Sequence, residues 1–234
     1  DRLKDTGFSI WQILPLQPLG FGYSPYQPYS SAAMDELYIS LDNLVEEELL
    51  TKDEVQPLHE DSTKIYYKEV REYKNQLLEK AYSRFKENAS FKKFKKEEWV
   101  KNYAIFISLK KKNHLRPWME WEEAEKFYPE KKELDLKEFE KQINYEIFVQ
   151  YILLKQWKAL KKYANRNKIK ILGDIPFYVG QDSEDVWLHK DMFLLHEQGS
   201  PKFIAGCPPD IFASTGQRWG NPIYNWEAIE KDDF

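Results

Sequence analysis

Between Phe139 and Ile175 the sequence changes its apolar period once, and that change restricts the fold more than any other feature of the chain. Phe139, Ile143, Ile147, Tyr151, Leu154, Trp157 or Lys158, and Leu160 hold the period of about 3.6 residues that puts apolar side chains on one helical face. "ANRNK" then supplies a turn, and "IKILGDI" is a β-branched strand candidate. Helix, short turn and buried strand make half of an α/β repeat, so an α/β class is expected.

A second strand is expected near the start. In "SIWQILPLQPLG" the apolar residues Ile10, Trp11, Ile13 and Leu14 form a short run closed by Pro15, as a buried strand running into a loop does. The next stretch, "GFGYSPYQPYSS", reads as an ordered loop, since its prolines and tyrosines restrict it and offer surface to pack. From about Ser62 to Asn113 the chain is heavily charged, with aromatics at helical spacing. Tyr66, Val70, Tyr73, Leu77, Ala81 and Phe85 form one stripe; Trp99, Tyr103, Phe106 and Leu109 form another. The lysine runs Lys92 to Lys96 and Lys110 to Lys112 read as solvated faces of these helices. No internal repeat of about 20 to 50 residues is found.

The totals exclude several functions. At 234 residues there is chain enough to bury a core. With 35 basic and 39 acidic residues, for a formal charge of -4, no field is available to track a phosphate backbone, and nucleic acid is not an expected partner. No apolar run reaches the roughly 18 residues of a spanning helix, and "DRLKDTGFSIW" lacks the parts of a signal peptide. A cytoplasmic protein without a membrane partner is expected, and the single cysteine, Cys207, fits a reducing compartment as a packing residue. The four histidines never adopt a metal-ligand spacing, and there is neither a Walker loop nor a dinucleotide fingerprint. Metal and cofactor are both expected to be none. Aromatics reach 16%, with eight tryptophans. Flat rings with a polar edge suit a core, and equally suit sugars, whose C–H faces are rimmed by hydroxyls.

Two stretches could carry chemistry. In α/β sheets the working side chains lie at the carboxyl ends of strands, and Asp174, in "GDIPFYVGQDSEDVW", falls at such an end. It could instead cap a turn or the following helix. In "DSEDVW" the acids have a structural task already, with Asp182 or Ser183 as cap and Asp185 in the first turn. The second stretch, "AGCPPDIFASTGQRWGNPIYNW" from Ala205 to Trp226, is too rich in Gly, Pro, Ser and Asn for a long regular element. It reads as a lid or binding loop, or as a surface docked on a neighbouring domain.

Taken together, "WQILPLQPLGFGYSPYQPYS", "FVQYILLKQWKALKKYA", "KILGDIPFYVGQDSEDVW" and "GCPPDIFASTGQRWGNPIYNW" resemble the 4-alpha-glucanotransferases, the amylomaltases or disproportionating enzymes of glycoside hydrolase family 77. The resemblance covers the first 41 residues and everything after about Glu138. It implies an incomplete (β/α)8 TIM barrel with a largely helical insertion: residues 1–61 with strand two and a substrate loop, 62–136 as the insertion, and 137–234 with strand three and an active-site lid loop. It further implies retaining transfer of an α-1,4-glucan segment to an acceptor glucan or glucose, with maltooligosaccharides and α-1,4-glucans as partners. Such chemistry needs two carboxyl groups about 5 Å apart, one the nucleophile and the other acid then base.

By the same resemblance the substrate-binding residues are Tyr26, Asp174, Asp210, Trp219, Asn221 and Pro222. Asp174 resembles the family's aspartate that contacts the sugar without attacking it, and Tyr26 borders the same pocket. Asp210, Trp219, Asn221 and Pro222 belong to the loop over the cleft, which would favour a sugar hydroxyl over water. Tyr23 departs from the family, which usually carries Asp before "SPY". The catalytic Asp and Glu are expected beyond Phe234, and the first barrel strand before "WQILPL". The 234-residue chain is therefore expected to be inactive alone, and its unpaired strand edges predict poor stability or self-association. A non-catalytic glucan-binding module is the alternative reading.

Overall fold

The computed structural model describes residues 1–58 and 63–233. His59 and the expected start of the insertion at residue 62 lie outside the described residues. In chain order the helices are α1 (Arg2–Asp5), α2 (Leu41–Glu46), α3 (Tyr67–Arg84), α4 (Ala89–Phe94), α5 (Glu98–Lys112), α6 (Glu123–Lys126), α7 (Tyr128–Lys131), α8 (Glu140–Arg166), α9 (Glu184–Leu188) and α10 (Trp226–Lys231). The strands are β1 (Ile10–Gln12), β2 (Lys170–Leu172), β3 (Ile204–Cys207) and β4 (Gln217–Pro222). The chain divides into two compact units. The first holds Asp1–Leu16, Met34–Ala104 and Glu140–Gly173; the second holds Gln17–Ala33, Ile105–Phe139 and Asp174–Phe234.

In the first unit, β1 and β2 pair in parallel, Ile10 opposite Lys170 and Gln12 opposite Leu172. Both apolar runs thus form strands, and their parallel sense requires the long crossover that the intervening helices supply. Within this chain both strands keep open apolar faces, as expected for unpaired edges: Ile10 is 54% and Leu172 53% exposed. A sheet of two strands leaves each with one open edge, and the apolar stripe of α8 is spent elsewhere. Its buried residues cluster from Tyr145 to Leu153. There Phe148 and Ile152 pack with Leu77, Leu78 and Ala81 of α3 and Phe91 of α4. Rings knit the cluster, with Phe85 centred 4.9 Å from Phe148 and 5.0 Å from Phe91. Farther along α8 the stripe emerges into solvent at Leu160. The helix also consumes the first part of "ANRNK", leaving Asn167 and Lys168 to turn the chain.

Two glutamines of α8 act as substitute strand partners. The Gln150 amide accepts from the Met34 N–H and donates to the Met34 carbonyl, and Gln156 does the same with Ser40. Side-chain amides carry a donor and an acceptor side by side, as a peptide group does. Between these ties, Asp35 and Glu36 are both paired with Arg71 of α3.

The second unit is built around Trp187 of α9, fully buried among Phe106, Trp121, Val186 and Phe193. Its indole N–H donates to the Glu125 carbonyl at 3.1 Å, which satisfies the one polar group the ring carries inward. Ser183 caps α9 by accepting from the Val186 N–H. Asp182 has a different task, because it pairs with Lys110. That pairing corrects the reading of Lys110 to Lys112 as a solvated face. Lys110 is completely buried, its ammonium donating to Asp182 and to the Arg116 carbonyl, 5.0 Å from the centre of the Tyr29 ring. Residues 205–226 form no long regular element, though they do hold short strands. The segment contains an antiparallel pair, β3 with β4, with Cys207 opposite Gln217 and Ile204 opposite Pro222. Turn residues crowd the sequence because a hairpin needs them at its tip, where the Asp210 carboxylate accepts the N–H groups of Phe212 and Ala213. Among the described residues no helix is long and apolar enough to cross a membrane.

Candidate functional site

Three segments of the second unit enclose a cleft of about 740 Å³. Ser24, Tyr26 and Gln27 form one wall, Asp174 to Tyr178 another, and Trp219 with Asn221 the third. Asp174 stands two residues beyond β2 in the chain, in irregular backbone with α9 not beginning until Glu184. Of the alternatives for Asp174, capping has no counterpart here. The carboxylate Oδ2 instead accepts from the Tyr26 hydroxyl at 2.9 Å. That hydrogen bond is the main reason the Tyr26 phenol is held above its ordinary pKa, with partial burial and the Asp174 charge adding to it. Tyr26 is therefore a proton donor across the physiological range.

Rings supply the apolar surface. Phe177 and Tyr178 lie 5.0 Å apart, and Trp219 is centred 6.4 Å from Phe177 and 6.3 Å from Tyr178. Tyr178 is stacked in turn on Tyr224, with the rings 16° from parallel. Phe177 is nonetheless 71% exposed. Large rings left open beside a polar pair fit a ligand that offers an apolar face and a hydroxyl rim. Asp174 is the one carboxylate among the lining residues. Two-carboxylate acid/base chemistry is not assembled by the described lining alone.

Of the six residues singled out in the sequence, Tyr26, Asp174, Trp219 and Asn221 line this one cleft. Asp210 and Pro222 lie outside that lining. Asp210 holds the hairpin turn, beside the almost fully exposed Ile211 and Phe212, while Pro222 is buried opposite Ile204. Sequence reasoning passed over Gln27, Phe177 and Tyr178. Their signal was adjacency, since each lies within four residues of Tyr26 or Asp174 in a stretch already marked. Among the described residues no group of three or more His, Cys, Asp or Glu is arranged to hold a metal ion.

Comparison with known proteins supplies the family. The family model described as 4-alpha-glucanotransferase, glycoside hydrolase family 77, matches residues 1–234. A 4-alpha-glucanotransferase of Clostridium butyricum is 42% identical over 250 residues, covering 100% of this chain and 50% of its own length. One from Aquifex aeolicus is 40% identical, covering 100% and 49%. Among solved structures, the amylomaltase from Streptococcus agalactiae in complex with acarbose superposes with a TM-score of 0.91 at 35% identity, over 99% of this chain and 49% of that one. The chain spans about half the length of the curated relatives it matches. With the family model matching from Asp1 to Phe234 and the cleft formed by the very stretches that resemble it, this chain belongs to the 4-alpha-glucanotransferase family.

Proposed function

We propose that this chain is the glucan-holding part of a 4-alpha-glucanotransferase, which moves an α-1,4-glucan segment to an acceptor glucan or glucose with retention. The observation that carries the reading is the Tyr26 to Asp174 hydrogen bond inside a cleft walled by Phe177, Tyr178 and Trp219. With the Tyr26 O–H donated to Asp174, the phenol oxygen and the remaining carboxylate lone pairs present acceptors to sugar hydroxyls, and the rings present flat faces to the C–H side. Trp219 belongs to the arm that excludes water, with Asp210 and Pro222 shaping it, so that a sugar outcompetes water for the covalent intermediate. The acarbose complex of the Streptococcus agalactiae relative is in keeping with a sugar ligand.

In this reading β1 and β2 are neighbouring strands of a (β/α)8 barrel. Their parallel pairing across a largely helical stretch supports that assignment, with residues 62–136 as the insertion between two barrel segments. The nucleophile and the acid/base come from parts of the protein other than this cleft. Incubation with maltotriose tests the reading. The full-length coding product is expected to release glucose and build longer oligomers, and this chain to bind maltotriose without converting it. Turnover by this chain alone would overturn the placement of the catalytic pair. The single carboxylate of the lining favours one second reading, a non-catalytic glucan-binding module, which requires the full-length product to be inactive as well.

A further inference from the structure

We infer that Asn221 and Gln27 are positioning residues, a linked pair of amides that sets the distance between the three cleft walls. The inference rests on the glucan-holding reading above for its functional consequence, and on geometry alone for the tie. Asn221 is 4% exposed, and both ends of its amide are engaged. Its Nδ2 donates to the Val179 carbonyl at 2.8 Å, and its Oδ1 accepts from Gln27 Nε2 at 3.4 Å. Gln27 Nε2 also donates to the Trp219 carbonyl. Asn221 thus joins the third wall to the second, and Gln27 joins the first to the third.

The sequence places tie and wall side by side. Tyr26 precedes Gln27, Tyr178 precedes Val179, and Trp219 precedes Asn221 by two residues. A shift of the tie is thus passed directly to a ring or hydroxyl of the cleft. Two glycines make the approach possible. At Gly180 a Cβ would stand 2.7 Å from the Pro28 carbonyl oxygen, so the second wall could not lie against the first with any other residue there. Gly220, at φ +83, takes the left-handed turn that lets the Trp219 carbonyl and the Asn221 side chain reach the same Gln27 amide. An amide with a fixed donor and acceptor suits this task, because a buried polar group whose partner is removed is penalised rather than merely released.

The test uses Asn221→Asp and Gln27→Glu, isosteric changes that remove the donors. Asn221→Asp turns an oxygen toward the Val179 carbonyl, and Gln27→Glu turns one toward the Trp219 carbonyl. Amide hydrogen exchange is read by mass spectrometry without ligand, and maltotriose affinity by calorimetry. Either variant is expected to speed exchange in the segments around 24–30, 174–180 and 217–222 while leaving the first unit unchanged, and to weaken maltotriose by about tenfold or more. Exchange that is unchanged in those segments, or raised throughout the protein, would overturn the inference. If the unsubstituted protein ignores maltotriose, the glucan reading fails while the exchange measurement still decides whether the tie exists.

Discussion

The hydroxyl of Tyr26 donates to the carboxylate of Asp174 at 2.9 Å across 148 residues of intervening sequence. A sugar hydroxyl entering the cleft must join this pair or displace it. Asp174→Asn is expected to cost more maltotriose affinity than Tyr26→Phe, about tenfold to a hundredfold against about threefold to tenfold, because bonds to a charged acceptor are the stronger class. The double variant is expected to lose less than the sum of the two, since Tyr26→Phe removes the shared bond and Asp174→Asn already weakens it. Titration calorimetry on the four proteins completes the cycle, and strict additivity would mean that the two groups act separately.

Lys110 predicts a stability effect of its own. Burial lowers its pKa and raises that of Asp182, and their mutual attraction opposes both shifts. Lys110→Met leaves the Asp182 carboxylate without its partner, which is expected to cost about 3 to 5 kcal/mol in urea unfolding. Adding Asp182→Asn to that variant should recover part of the loss. A change under about 1 kcal/mol for Lys110→Met would show the ammonium to be solvated after all.

Glu184 gives a pH dependence of defined sign. Burial pushes its carboxyl from the ordinary 4.5 up to about 8, against a hydrogen bond from Ser30 and with the charge of Asp185 adding to the rise. Between those values the folded chain keeps a proton that the unfolded chain releases, so this group's contribution to stability falls as pH rises from about 4.5 to about 8 and is flat beyond. Glu184→Gln carries no such loss. Its stability relative to the unsubstituted protein is expected to grow by up to about 1.4 kcal/mol per pH unit across that window. Urea midpoints at several pH values measure it, and parallel curves for the two proteins would contradict the buried neutral carboxyl.

In the first unit, Arg71 neutralises Asp35, whose carboxylate is almost fully enclosed, and Glu36 beside it. Arg71→Met is expected to destabilise the protein by about 3 kcal/mol. Arg71→Lys should rescue it only in part, because one ammonium cannot reproduce the forked contact. Thermal unfolding of both variants checks the order.

The elements legible in the sequence were those whose period is set by one face. The stripe from Tyr73 through Leu77 to Ala81 gave α3, and the change of period after Leu160 gave the α8 to β2 sequence. The strands were legible as apolar runs, and the open faces of Ile10 and Leu172 match the unpaired edges expected of them. Lys110 was hidden in a run of three lysines although it follows Phe106 by four residues on the buried stripe, because the Asp182 that pairs with it lies 72 residues away. The hairpin was hidden for a related reason. Turn residues mark β3 and β4 as irregular, whereas their pairing depends on a register between segments that no local pattern states. In the cleft, Asp174 was marked by its place at the end of a strand, while the roles of Tyr26 and Trp219 came from resemblance. The amide tie behind them joins Gln27 to a backbone carbonyl and a distant asparagine, and backbone partners leave no mark in a sequence.

The parallel pairing of Ile10 with Lys170 also bears on how the chain is made. A ribosome adding about 5 to 20 residues per second delivers the second strand some 8 to 32 s after the first. Throughout that interval Ile10 and Trp11 lack Lys170 and Ile171, the partners they face in the finished fold. The β1 to β2 pairing is thus a late event of synthesis, closed only after the whole helical stretch between the strands has been made.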